Sequence, residues 1–169
     1  MKALILFAIL ALTNSVFAQT GEDESTIVRV GQQAPAFIFT DSEGKSHASS
    51  ELNGKVVLIN FFATWCGPCL KELPHLQKEI YEKYKNRNDF SLLVIGREHH
   101  PEELQKFKQA RGYELELLAD PKREIYSKFA SQFIPRNFLM DKSGKIIYSS
   151  VGFDDEEFAR LIQLLNEQL

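Results

Sequence analysis

An α/β fold with one mixed β-sheet is the fold class that the 169-residue sequence predicts. The first observation behind it is a nearly continuous apolar run over 55–63, rich in β-branched and aromatic residues, which is typical of a strand buried on both faces. The second is the alternation of such runs with amphipathic helical segments, followed by a hairpin pattern near the C-terminus. The composition, 44% hydrophobic and 25% charged, excludes a disordered or low-complexity chain and suits a single domain.

Residues 1–18 have the layout of a secretory signal peptide. A lysine is followed by ten apolar residues, and Val16 and Ala18 occupy the two positions that select a cleavage site. The apolar stretch is shorter than the ~20 residues of a spanning helix, so an uncleaved membrane anchor is the weaker alternative. We therefore expect export to the periplasm, with secretion as the alternative, where disulfides persist. Residues 19–26 are predicted as a flexible lead-in and 27–169 as the folded domain.

The first half of the domain begins with a short β-rich run over 36–40, which the turn residues at 41–44 end. The buried strand over 55–63 comes next. Residues 68–84 then carry helix formers with apolar positions spaced along one face, which predicts a helix. Pro74 lies inside this helix and should bend it, because proline lacks the N–H donor and crowds the preceding turn.

A second buried strand is predicted over 90–95. The helix over 101–110 begins with proline and two glutamates and ends at Gly112. Residues 113–119 form a candidate strand that two glutamates interrupt, and residues 122–130 form a short helix. These elements continue the alternation of strands and helices that favours an α/β sheet.

The C-terminal part is predicted as a hairpin and a helix. Two strand patterns over 137–141 and 145–151 flank turn residues at 142–144. The helix over 154–169 has four acidic residues in its first turn, where the helix dipole favours negative charge. The antiparallel hairpin is what makes the predicted sheet mixed rather than all parallel.

The two cysteines of the chain stand at the junction of a buried strand and a helix, in the motif Trp65-Cys66-Gly67-Pro68-Cys69. Thiols at this spacing can close into a disulfide with little backbone change, and the N–H groups of a helix N-terminus favour a thiolate over a thiol. We expect Cys66, at the helix tip, to be the exposed attacking thiol and Cys69 to be buried and to resolve the mixed disulfide. Pro68 is compatible with the first turn of a helix.

Two other uses of the cysteine pair are less well supported. A structural disulfide that closes so small a ring would stabilise the chain little. A zinc site would need two more ligands, and the histidines show no ligand spacing, so we expect no metal and no cofactor. We expect Lys71 and His75 to lie on the surface of the helix after the motif. We expect His99 and His100 to lie in a solvated loop before the next helix, with metal binding as the alternative. The remaining histidine is His47.

The chain resembles the exported TlpA/ResA-type thioredoxins, close to the wider redoxin group. The motif over 65–69 is the thioredoxin active-site sequence in full, and both its context over 54–66 and the opening over 31–37 are similar to this family. The resemblance covers residues 31–169. It implies a thioredoxin fold, a central mixed sheet flanked by helices, with an N-terminal β extension and an inserted βα element.

The resemblance also implies roles for residues outside the cysteine motif. Pro135 matches the proline that faces the cysteines, normally after a cis peptide bond. The backbone of Ile134 would then pair with an extended substrate segment. The alternative is a trans proline that starts an edge strand. Arg136 replaces the threonine common after this proline. Glu72 matches a glutamate near the active site and would exchange the proton of the second cysteine, whereas the alternative is an exposed helix glutamate. Asn60 replaces a buried aspartate and cannot titrate.

An exported thiol–disulfide oxidoreductase is the function that these residues imply. The Gly67-Pro68 pair resembles reducing thioredoxins, and Trp65 would shield the thiols while packing at the rim. The family resemblance implies protein disulfide or thiol substrates, among them apocytochromes, a membrane-bound electron donor and antioxidant activity. We expect a monomer without a membrane span after signal cleavage. The net charge of −3 argues against a nucleic-acid partner.

Two alternatives stay open. A thiol peroxidase would need a proline and a threonine before its cysteine, and Ile59 and Ala63 stand at those positions. A non-catalytic module would use the groove between the cysteines and Pro135 to hold extended peptides.

Overall fold

The computed structural model describes residues 23–169. The predicted signal peptide and the first four residues of the predicted lead-in lie outside the described residues. Within residues 23–169, no helix has the length and apolar character needed to cross a bilayer.

A five-stranded mixed sheet forms the centre of the protein, in the order β5-β4-β3-β6-β7. Strand β3 lies in the middle, parallel to β4 and antiparallel to β6, and all seven of its residues are buried, as its continuous apolar run predicts. A separate hairpin, β1–β2, precedes the sheet as the expected N-terminal β extension. The strands are β1 Ile38–Thr40, β2 Ser46–Ala48, β3 Val56–Phe62, β4 Phe90–Arg97, β5 Leu117–Asp120, β6 Arg136–Met140 and β7 Ile146–Val151.

Helices cover both faces of the sheet, which confirms the predicted fold class. Apolar residues of α1, α3 and α5 pack on one face, and those of α4 and of the N-terminal segment pack on the other. Strand β5 and the short α4 after it form the inserted βα element beside β4. The helices are α1 Gly67–His75, α2 Glu82–Tyr84, α3 Pro101–Arg111, α4 Tyr126–Phe129 and α5 Asp155–Gln168, with a 3₁₀ turn at Ser49–Leu52.

The structure differs from the predicted elements at three places. Strand β2 is not among the predicted strands, and β5 is shorter than the predicted strand over 113–119. Helix α4 is also shorter than the predicted helix over 122–130. Arg123 has a left-handed φ of 59°, and the Asp120 carboxylate accepts the N–H groups of Ile125 and Tyr126, so regular helix begins only at α4.

Pro74 affects its helix through the hydrogen-bond pattern. Helix α1 contains Pro74 close to its end, and a π-helical segment, Leu76–Tyr81, joins it to α2. Proline removes one N–H donor and crowds the preceding turn, and wider π-type pairing is a common way to accommodate such a disturbance. The buried residues Leu73, Leu76 and Ile80 still face the sheet through this change.

Residues 23–26, the described part of the lead-in, contact the rest of the fold through Arg136. Arg136 has no exposed side-chain surface and donates to the Gln132 carbonyl oxygen (2.8 Å), to Thr26 Oγ1 (2.8 Å) and to Asp23 Oδ2 (3.1 Å). Its guanidinium also donates to the Ser25 hydroxyl. A guanidinium in the interior needs such partners, so it fixes the N-terminal segment against the start of β6.

Close packing at Gly96 leads to a stability prediction. A Cβ atom added to Gly96 in β4 would lie 2.7 Å from Cδ2 of the buried Leu104. Because this is closer than van der Waals contact, Gly96→Ala is expected to lower the free energy of unfolding by about 1–3 kcal/mol. Urea denaturation measures the change. The matched control is Gly67→Ala, since a Cβ at Gly67 would have no atom within 4 Å apart from its chain neighbours and the backbone of its own helix. Equal stability of the two variants would contradict the prediction.

Candidate active site

The cysteine pair lies where the central strand passes into α1. After Phe62 the chain turns over Ala63–Cys66, closed by the Cys66 N–H donating to the Ala63 carbonyl oxygen (3.1 Å). Cys66 is the N-cap of α1, and its Sγ accepts a hydrogen bond from the Cys69 N–H at 3.2 Å. The two cysteines form a disulfide with a Cα–Cα distance of 5.3 Å. The same backbone N–H would stabilise a Cys66 thiolate after reduction.

The two sulfur-bearing residues differ in exposure, but less than the sequence suggests. Cys69 has no exposed surface, and Cys66 retains only 6%, so Cys66 is the more accessible of the two without being an exposed side chain. The Ile134 carbonyl oxygen lies 3.7 Å from Cys66 Sγ and limits access from that side. Cys66 is therefore the one of the two cysteines that an attacking group can reach.

The loop before β6 contains a cis peptide bond between Ile134 and Pro135, so the trans alternative does not apply. Strand β6 pairs antiparallel with β3, with Arg136 opposite Phe61. This register brings Pro135 to the end of β3, next to the turn that carries Cys66. Pro135 and Cys66, which are far apart in the sequence, therefore lie close together at the disulfide.

The surface around Cys66 is apolar and exposed. Trp65 is 63% exposed and Phe133 57%, with half-buried Ile134 near Cys66. The Arg97 guanidinium lies 5.8 Å from the centroid of the Trp65 ring, close enough for a cation–π contact. Large exposed apolar side chains beside a reactive group are typical of a protein-binding surface.

Glu72 is a buried carboxyl group, not an exposed residue of the helix surface. It lies one turn after Cys69 in α1, with 1% of its surface exposed. Its carboxylate accepts hydrogen bonds from Asn60 Nδ2 (2.8 Å) and Asn137 Nδ2 (2.6 Å). Burial raises the pKa of Glu72 to about 7, although both amide hydrogen bonds oppose the shift. A carboxyl group with this pKa can accept or return a proton near neutral pH.

Asn137 is a further member of this network, and no sequence motif marks it as a site residue. The register of β3 and β6 places Asn137 directly opposite Asn60, and Asn60 Nδ2 donates to Asn137 Oδ1 at 2.9 Å. A polar residue within each of two apolar strand patterns is the only sequence signal for such a pair.

His99 is buried, which corrects the expectation that both His99 and His100 lie in a solvated loop. It is 6% exposed, not solvated, and its Nε2 accepts the Thr64 N–H at 3.0 Å. The neighbouring His100 is exposed as expected. Burial of His99 depends on how the loop after β4 folds over the end of β3, which a pair of adjacent histidines does not reveal.

Comparison with known proteins identifies the family. The Redoxin family model matches residues 29–165. The thiol-disulfide oxidoreductase ResA of Bacillus anthracis is 32% identical over 130 residues, covering 77% of this chain and 74% of ResA. The ResA of Geobacillus thermodenitrificans is 30% identical over 146 residues, covering 86% and 83%.

Solved structures agree with this result. A Bacteroides thetaiotaomicron protein proposed to be a protein disulfide isomerase superposes with a TM-score of 0.82 at 41% identity, covering 86% of this chain and 92% of that protein. A protein of Chlorobium tepidum proposed to be the thiol:disulfide interchange protein DsbE gives a TM-score of 0.70 at 27% identity, covering 83% and 98%. With a disulfide-bonded Cys66–Cys69 pair at the tip of α1, the chain belongs to the Redoxin family and is a thiol–disulfide oxidoreductase of the ResA and thioredoxin type.

Proposed function

We propose that this protein reduces disulfides in exported proteins, with Cys66 as the attacking thiolate and Cys69 as the resolving thiol. The observation that carries the proposal is the asymmetry of the pair: Cys66 Sγ accepts the Cys69 N–H at the helix tip and retains some exposure, whereas Cys69 has none. A thiolate is stabilised at the first position, and an incoming disulfide can reach only that position.

The first step forms a mixed disulfide. The Cys66 thiolate attacks one sulfur of the substrate disulfide, the substrate S–S bond breaks, and the other substrate sulfur leaves as a thiolate. The apolar surface of Trp65, Phe133 and Ile134 would hold the substrate segment beside Cys66. The backbone of Ile134, next to Pro135, would pair with that segment as an added strand.

The second step releases the reduced substrate. Cys69 loses its proton and attacks the Cys66 sulfur, and the second substrate sulfur leaves as a thiolate, so that two electrons pass from the cysteine pair to the substrate. Glu72, one turn from Cys69 and close to neutral in its pKa, would accept the Cys69 proton and return it to the leaving thiolate. Asn60 and Asn137 hold the carboxyl group for this transfer.

Features of the sequence support the proposed direction and place of the reaction. The exposed Gly67-Pro68 pair resembles that of reducing thioredoxins, and the signal-like residues 1–18 support export, to the periplasm rather than the cell exterior. Continued turnover needs a dithiol donor that reduces the Cys66–Cys69 disulfide, and for an exported protein we place this donor in the membrane. Apocytochromes and other exported thiol proteins are the substrates we propose, with a contribution to antioxidant defence and a monomeric state.

A trapping experiment tests the proposal. Cys69→Ser, produced in its native host, is expected to accumulate mixed disulfides between Cys66 and exported proteins, because the resolving thiol is missing. Non-reducing gels followed by mass spectrometry detect them, and Cys66→Ser/Cys69→Ser is the matched control. Captured proteins that are all cytoplasmic, or no captured protein at all, would contradict the proposal. Rapid peroxide consumption that Cys66→Ser abolishes would instead favour a thiol peroxidase.

A further inference from the structure

The loop between β4 and α3 reaches the turn that carries the reactive cysteine. The His99 ring lies in this loop, and its Nε2 is 3.0 Å from the backbone nitrogen and 3.3 Å from the hydroxyl oxygen of Thr64. Thr64 is the second residue of the turn Ala63–Cys66. A buried imidazole therefore contacts the backbone two residues before Cys66.

The backbone of the loop is held so that this ring faces inward. Glu98 has a left-handed φ of 65°, a conformation that non-glycine residues seldom adopt and that surrounding contacts must maintain. Its N–H donates to the Asp120 carbonyl oxygen at 2.9 Å, and the His99 N–H donates to the Gly96 carbonyl oxygen at 3.4 Å. Such backbone geometry next to a reactive site is a common sign of a positioned side chain.

The hydrogen bonds of His99 determine its tautomer. Because the Thr64 N–H can only donate, Nε2 must carry a lone pair rather than a proton. The proton of the neutral ring is then on Nδ1, which donates to Glu103 Oε2 at 3.2 Å. The same Glu103 oxygen accepts the His100 N–H at 2.9 Å, which fixes the carboxylate at the start of α3.

From this arrangement we infer that His99 is a positioning residue for thiol–disulfide exchange: its Nε2 holds the Thr64 N–H, and so fixes the turn that sets Cys66 over the tip of α1. The turn itself uses the Cys66 N–H and the Ala63 carbonyl oxygen, which leaves the Thr64 N–H for His99. Without this acceptor the turn is less constrained, and the Cys66 thiolate is held less well at the helix N-terminus. The inference rests on the proposed attacking role of Cys66.

Substitution by residues with and without an acceptor tests the inference. His99→Leu is expected to lower the rate of Cys66 with a disulfide substrate roughly 10-fold, the size expected for one lost buried hydrogen bond. His99→Gln, whose amide oxygen can accept the Thr64 N–H, should stay within about 3-fold of the wild type. His100→Leu is the matched control and should react normally, because His100 is exposed.

Two further measurements separate positioning from a purely structural effect. The pH at which the Cys66 thiolate absorbance appears should rise in His99→Leu and return in His99→Gln. In ¹⁵N NMR spectra of the wild-type protein at neutral pH, the His99 Nε2 resonance should be that of a ring nitrogen without a proton. If His99→Leu does not fold, Glu103→Ala takes its place in the test. This variant removes an exposed acceptor of the His99 ring, should fold, and is expected to slow the reaction a few-fold.

The outcomes distinguish this inference from the proposed function. Wild-type rates and thiolate titration in His99→Leu, or a protonated Nε2 in the NMR spectrum, would overturn the positioning role while leaving the role of Cys66 intact. If instead wild-type protein and Cys66→Ser reduce substrates equally, the proposed function fails, and the NMR result still reports on the His99 tautomer.

Discussion

Glu72→Gln is expected to slow thiol–disulfide exchange by roughly 100-fold, the lower range for loss of a general acid–base group. Glutamine cannot accept the Cys69 proton, so the mixed disulfide on Cys66 should resolve slowly and accumulate. Stopped-flow kinetics of both steps check this prediction. The rate of the second step, resolution of the mixed disulfide, should no longer depend on pH through a group with a pKa of about 7. The rate of the first step, formation of the mixed disulfide, should change little. An unchanged second step would show that water, not Glu72, takes the proton.

The same substitution is expected to stabilise the oxidised protein at neutral and alkaline pH. Burial raises the pKa of Glu72 from 4.5 to about 7, so the folded state binds this proton more tightly than the unfolded state. The protonated Glu72 carboxyl group therefore contributes to the free energy of unfolding of the wild type. This contribution is complete below pH 4.5 and is lost as the pH rises through 7. Such a shift corresponds to about 3 kcal/mol.

Urea denaturation of the oxidised protein over pH 4.5–8.5 measures this effect. The free energy of unfolding of Glu72→Gln relative to wild type should increase across this range and level off above pH 7. The amide oxygen of the new glutamine can still accept a hydrogen bond from Asn60 Nδ2 or Asn137 Nδ2. The matched control is Glu79→Gln, at an exposed position of the adjacent π-helical segment, which should show no such increase. A pH-independent difference for Glu72→Gln would contradict the assignment of the raised pKa.

Arg136→Met is expected to lower the free energy of unfolding by about 3–4 kcal/mol. The substitution removes a fully buried guanidinium and leaves the Gln132 carbonyl oxygen and the hydroxyls of Ser25 and Thr26 without their donor. Because Arg136 directly follows Pro135, the variant should also reduce substrates more slowly at temperatures where it is still folded.

Chemical denaturation and limited proteolysis measure the effect of Arg136→Met. Cleavage should begin within residues 23–26, the part of the lead-in that the guanidinium holds. Arg160→Met is the control and should change stability by less than ~0.5 kcal/mol, since Arg160 is exposed. Asp23→Asn keeps an acceptor for Arg136 and should cost less than Arg136→Met. Equal stability of the Arg136 and Arg160 variants would show that the buried network contributes little.

The strand–helix order and the position of the cysteine pair were predictable because they depend on neighbouring residues. The apolar run before Cys66 indicates a buried strand, and the proline in the first turn indicates a helix start, whatever the rest of the chain does. The cis peptide bond before Pro135 is predictable only from the family resemblance, because few X–Pro bonds in folded proteins are cis. The late start of α4 is not predictable from the helix pattern, because it depends on the carboxylate of Asp120, a residue that lies outside that pattern.

The alternating α/β order, the reactive motif and its place at a helix tip can all be predicted from the amino-acid sequence, because each is a local pattern within one stretch of the chain. Which polar groups are buried, and what they bind, depends on the folded arrangement of the chain: Arg136 binds the N-terminal segment, Glu72 lies between two asparagines, and His99 binds the turn before Cys66. These contacts join residues from separate strands, helices and loops. Their energies depend on desolvation and pairing across the sheet, which no local pattern of residues encodes.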